Sequence, residues 1–219
     1  MSLKSSLLAL LLASTSPASQ LPESPVRQEC AHLDIKFLLD VSMSMSTAIP
    51  KTKQTIHDFG SHASRSLPDP HLGLGIYGMV TQRYRNVLSL TGNLPSLDQA
   101  LQDLTYQAGS EEYAGNALFV ASREPAWRAD AYHFVVFITD EIAEEKENFA
   151  FAAVSTELPF FVVVPPHASD RLNVVRYWER QGALAVVPAV SSLTQGITDY
   201  LQKQCHDPPR YSQLETKRF

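Results

Sequence analysis

Asp40-x-Ser42-x-Ser44 follows the apolar run Phe37-Leu38-Leu39 without a break. Alternate residues of an extended segment face the same way, so one carboxylate and two hydroxyls can share a side. Such an all-oxygen donor set suits a hard cation such as Mg²⁺, which prefers octahedral oxygen ligation and keeps several waters. The triplet alone is a weak signal, because Asp and Ser also serve turns and helix caps. A second acid strengthens it: Asp140 closes another apolar run in "FITDE", residues 137–141.

Other chemistries fit less well. The seven histidines show no zinc-type spacing. Ser42 and Ser44 have no G-x-S-x-G turn and no histidine placed by sequence as a base, so a hydrolase is a minor alternative. "GLGIYG", residues 73–78, lacks the Lys-Ser/Thr of a phosphate loop. Its glycines read as allowing a helix to pack closely on a strand. His133 reads as packed or paired, and Trp127 as a loop residue packed against a helix.

Elements that would position these residues alternate along the chain. Strands are expected over 34–41, 72–80, 86–90, 132–139, 160–164 and 183–187. Residues 132–139 are nearly all apolar, as in a parallel strand buried on both faces. Helices are expected over 48–66, around Leu94–Leu104, and over 115–123, 142–154, 169–181 and 191–203. In the first of these, Ile49, Ile56, Phe59, Ala63 and Leu67 recur at helical spacing. The order implies an α/β fold: a doubly wound, mostly parallel central sheet with helices on both faces. The close pair at 72–90 predicts one antiparallel edge strand. Ligands of such sheets bind at the carboxyl ends of the strands, where Asp40 and Asp140 fall.

The 219 residues suffice for one such domain, and 44% hydrophobic with 19% charged is ordinary globular composition. A formal net charge of −5 without a Lys/Arg cluster argues against nucleic acid. Residues 1–18 read as a signal peptide, with Lys4, the apolar run "LLALLLA" at 7–13, and small residues before a cleavage at Ser19. The run is too short to span a membrane. The expectation is a secreted, extracellular protein with a linker at 19–29, a domain at 30–205 and a polar tail at 206–219. In an oxidising compartment Cys30 and Cys205, the only cysteines, would form one disulfide joining the ends of the domain; free thiols are the other reading.

"DIKFLLDVSMSMS", its spacing to "FVVFITD", the strand–helix order and the flanking cysteines together resemble the von Willebrand factor type A domain, the fold shared with integrin inserted domains. The resemblance covers about residues 33–204. It implies a metal-ion-dependent adhesion site in which Asp40, Ser42 and Ser44 match the first element and Asp140 the last. The central element departs from the family pattern: in "AGSEEYAGNAL", Glu112 stands where a Thr or Asp is usual, with Glu111 as the competing choice. Glu141 also follows Asp140 where family members usually have Gly. The implied cofactor is Mg²⁺, or Mn²⁺ or Ca²⁺. The implied function is metal-assisted binding of a protein partner in an adhesion or matrix role, with an acidic side chain of the partner completing the coordination. Catalysis is not implied. A protein-interaction module without metal dependence is the alternative.

Overall fold

A computed structural model describes residues 32–107, 109, 113–143, 151, 154, 158–166 and 168–206, the last three as backbone only. Its strands are β1 (Leu33–Asp40), β2 (Pro70–Tyr77), β3 (Arg85–Thr91), β4 (Tyr132–Ile138), β5 (Phe160–Val163) and β6 (Val186–Val187). Its α-helices are α1 (Ile49–Ser66), α2 (Leu94–Gln102), α3 (Ala114–Ala121), α4 (Arg171–Arg180) and α5 (Leu193–His206). The helix expected over 142–154 falls largely outside the described residues, as do the signal peptide, the linker and the tail from 207.

The strands form one six-stranded sheet in the order β3-β2-β1-β4-β5-β6. β2, β1, β4, β5 and β6 run parallel, and β3 pairs antiparallel with β2 at the edge. The order reverses between β1 and β4: the chain builds outward from β1 through β2 and β3, then crosses back to β4. The ends of β1 and β4 therefore lie side by side at the switch point.

β1 is buried along its whole length, and its alternation divides the core. Leu33, Ile35, Phe37 and Leu39 belong to the layer containing Ile56 and Phe59 of α1, Leu97 and Leu101 of α2, and Ile197 of α5. Leu38 belongs to the other, with Ala117 and Leu118 of α3, Phe137 of β4 and Trp178 of α4. The remaining residues with the parity of Leu38 are Asp34, Lys36 and Asp40, all fully buried.

Each has a partner. Asp34 receives the backbone N–H and the guanidinium of Arg128, both at 2.8 Å. Lys36 Nζ donates to Glu124 Oε2 and Asn86 Oδ1 at 2.8 Å and to the Leu88 carbonyl at 3.0 Å. Tyr84 hydroxyl closes the cluster on Glu124 Oε1. Burial lowers the Lys36 ammonium pKa, and Glu124 opposes the shift. Burial, then Glu124, raises that of Tyr84.

The same cluster corrects the expectation for the β2 glycines. A Cβ at Gly73 would sit 2.9 Å from Lys36 Cδ, and one at Gly75 would sit 2.5 Å from the Tyr84 ring. These glycines leave room for Lys36 and Tyr84, not for a helix. His133 and Trp127 pack as expected: His133 Nε2 lies 2.6 Å from the Arg128 carbonyl, and the two rings are 4.9 Å apart. Trp127 Nε1 donates to the Ala121 carbonyl at 2.7 Å.

Candidate metal centre

Asp40 is the last residue of β1, and the chain beyond it does not stay extended. Ser42 lies in a bend, and Ser44 opens a 3₁₀ turn over Ser44–Thr47. This corrects the picture of three ligands on one side of an extended loop. The turn carries Ser44 back over the end of β4 instead. Ser42 Oγ and Ser44 Oγ are 3.0 Å apart, and Ser44 Oγ donates to Asp140 Oδ1 at 2.9 Å.

Asp40 supports this arrangement from below. Its Oδ1 accepts the Ser42 N–H at 2.8 Å, fixing the bend. Its Oδ2 accepts the Thr139 hydroxyl at 3.0 Å, tying the end of β1 to the residue before Asp140. Asp40, Ser42 and Asp140 are buried, while Ser44 is exposed at the mouth.

Two glycines make the approach possible. Gly78, just after β2, has φ +78°, a left-handed conformation that strongly favours glycine. A Cβ there would lie 2.7 Å from Asp40 Oδ1. Gly109 packs on Gly78 so closely that a Cβ would collide with the Gly78 carbonyl. Backbone bonds lace the loops together: Val41 N–H to Tyr77 O at 3.0 Å, Gln107 N–H to Val41 O at 2.9 Å, and Met43 N–H to Gly109 O at 3.2 Å.

The structure thus brings Asp40, Ser42, Ser44 and Asp140 together. Glu111 and Glu112 lie outside the described residues, as do Cys30 and the side chain of Cys205. Sequence reading did not single out Thr139 as a brace, although it immediately precedes Asp140. Glu141 is a further member of the site. Its N–H donates to Thr139 Oγ1 at 3.2 Å, and its carbonyl accepts Trp178 Nε1 at 3.1 Å. The residue is half-buried. Burial, then the charges of Asp140 and Asp40, raise the Glu141 pKa; the Ser44 hydrogen bond acts against this.

The donor chemistry fits a hard divalent cation. Hydroxyl and carboxylate oxygens meet at one edge, and the central residues carry no nitrogen or sulfur side-chain donor of the kind zinc prefers. Among the described residues, no three His, Cys, Asp or Glu side chains gather as a metal-binding group.

Residues 34–164 match the von Willebrand factor type A domain. The chain belongs to this family. Solved structures agree on the fold. BatB from Bacteroides thetaiotaomicron superimposes with a TM-score of 0.60 at 15% identity, over 78% of this chain and 99% of that one. An aerotolerance-related membrane protein from Bacteroides fragilis gives 0.57 at 14%, with the same coverage. Proximal thread matrix protein 1 from the mussel byssus gives 0.58 at 14%, over 81% of this chain and 47% of that one. No curated protein sequence matches.

Von Willebrand factor A domains are in general protein-interaction modules rather than enzymes, and this domain is read as one. Among the described residues, no helix is long and apolar enough to cross a membrane. Loops of the edge that holds Ser44 carry large apolar side chains in solvent: Met43 is 61% exposed, Val80 71%, Tyr106 53% and Ile142 49%.

Proposed function

We propose that this von Willebrand factor A domain is a secreted, divalent-cation-dependent protein-binding domain of adhesion or matrix type. The observation that carries the reading is the chain of contacts from Ser42 through Ser44 to Asp140 at the carboxyl edge of the sheet. Mg²⁺, or Mn²⁺ or Ca²⁺, would be held by Ser42, Ser44 and a central-loop glutamate, Glu112 or Glu111. Asp40 and Asp140 would orient its waters. The cation supplies a positive charge and open ligand positions at an otherwise acidic edge. Met43, Val80, Tyr106 and Ile142 support a protein as the partner, since apolar side chains in solvent gain by being covered.

Secretion rests on the leader-like N-terminus, and with it the Cys30–Cys205 disulfide. The test is a pull-down from extracellular material using the full chain, once with Mg²⁺ and once with EDTA. Retention of a partner with Mg²⁺ and its loss with EDTA is the expected result. A partner retained equally in EDTA would replace this reading with the metal-independent module.

A further inference from the structure

We propose that the groove between α1 and α2 binds a small amphipathic anion, an apolar ring or chain that carries one carboxylate or sulfonate group. The groove encloses about 590 Å³, within the roughly 300–1,000 Å³ of small-ligand sites. Ile49 of α1, Leu101 of α2 and Leu104 beyond it line the space as buried side chains, and Pro50 and Tyr106 line it as exposed ones. An apolar body seated among them removes apolar surface from water on both sides.

Polar groups set the charge of the ligand. Lys53 stands one turn after Ile49 on α1, on the same face of the helix. Its ammonium donates to the carbonyls of Gln102 at 3.1 Å and Leu104 at 2.9 Å. Gln102 ends α2, so its carbonyl has no partner within its own helix, and Lys53 is held there as a cap. An ammonium has three N–H groups, and these bonds leave one for a ligand. Carbonyls carry no formal charge, and among the described residues Lys53 joins no ion pair. The acid that lines the groove, Asp98, is taken by His57, with Oδ1 and Nδ1 2.6 Å apart. The counter-ion of Lys53 must therefore come from outside the chain. An anionic head on an apolar body complements both the ammonium and the lining, and the ammonium is fixed before the ligand arrives.

The test is fluorescence titration of the full chain with anilinonaphthalenesulfonate, in EDTA so that the result is independent of any bound cation. Phenylnaphthylamine, which has the same rings without the sulfonate, is titrated beside it. Thermal unfolding confirms that each variant is folded. Wild type is expected to bind a single anilinonaphthalenesulfonate, and phenylnaphthylamine about tenfold more weakly. Lys53→Met should weaken the sulfonate by about tenfold, and Lys53→Arg should keep most of the affinity. Thr105→Trp places a large ring in the groove from an exposed lining position and should weaken both ligands. Lys51→Met removes an exposed charge of the same helix that lines a different cleft, and should bind as wild type does. Sulfonate binding unchanged in Lys53→Met or in Thr105→Trp would put the ligand on another surface and overturn the proposal. Equal affinity of wild type for the two probes would overturn the anionic class. An equal loss in Lys51→Met and Lys53→Met would reduce the effect to net charge and overturn the site. If Lys53→Met fails to fold, Thr105→Trp decides.

Discussion

Ser44 Oγ donates to Asp140 Oδ1 at 2.9 Å, joining residues 96 positions apart in the chain. The bond spans the switch point between β1 and β4, so the proposed ligands depend on a 3₁₀ turn at one strand end and an Asp at the next. Removing either end should remove cation-dependent stabilisation. In wild type, Mg²⁺ at about 100 times its Kd should stabilise the fold by about 2.7 kcal/mol, seen as a raised Tm. Ser44→Ala and Asp140→Asn should unfold at nearly the same temperature with Mg²⁺ as with EDTA. A full Mg²⁺-dependent rise in both variants would remove these residues from the site.

Gly78 holds the floor of the site open. Its φ of +78° strains any side chain, and a Cβ would press on Asp40 Oδ1 at 2.7 Å. Gly78→Ala is therefore expected to cost about 1–3 kcal/mol in urea unfolding and to weaken Mg²⁺ binding by displacing Asp40. Gly182 provides the control: its φ is +89°, but a Cβ there would meet no atom within 4 Å. Gly182→Ala should show backbone strain alone and leave Mg²⁺ affinity unchanged.

Lys36 and Glu124 form a buried ion pair at 2.8 Å. Lys36→Met would leave the Glu124 carboxylate buried beside Tyr84 and Asn86 without its cation. The expected cost is about 3–5 kcal/mol, measured by urea unfolding. The double variant Lys36→Met/Glu124→Gln should recover a substantial part of that loss. Additive losses would show that the two side chains act independently.

Asp69 gives a pH signature at the opposite edge of the sheet. Hydrogen bonds from His32 first, and Arg128 second, hold its carboxyl below the usual carboxylate range. A depressed folded-state value means the stabilisation is present above the unfolded pKa of about 3.9 and is lost as pH falls through the lower, folded value. Asp69→Asn should lower Tm modestly at neutral pH, since the side chain is half-exposed. The gap to wild type should close as pH drops below about 4. A constant gap across that range would place the effect elsewhere. Asn suits the position because Asp69 has φ +33°, and Asn accepts such backbone readily.

Much of the architecture was legible because it follows from local pattern. The apolar run ending in Asp40, the helical spacing from Ile49 and the near-continuous apolar strand before Asp140 each required only neighbouring residues. The turn at Ser44 was not legible in this way. It depends on Asp40 Oδ1 capturing the Ser42 N–H and on Asp140 waiting across the switch point. The polar face of β1 was missed for a related reason. Lys36 sat in plain view inside an apolar strand, but its partners Asn86 and Glu124 lie 50 and 88 positions away.

By itself, the sequence determined the order of strands and helices, the family and the oxygen-rich residues at two strand ends, because periodicity and short spacing are local properties. Tertiary structure decided which side chains meet. It folded Ser44 onto Asp140, set Gly78 and Gly109 under the loops, and tied Thr139 to Asp40. Those contacts join segments that the chain keeps far apart, and only the packing of β1 against β2 and β4 brings them within hydrogen-bonding distance.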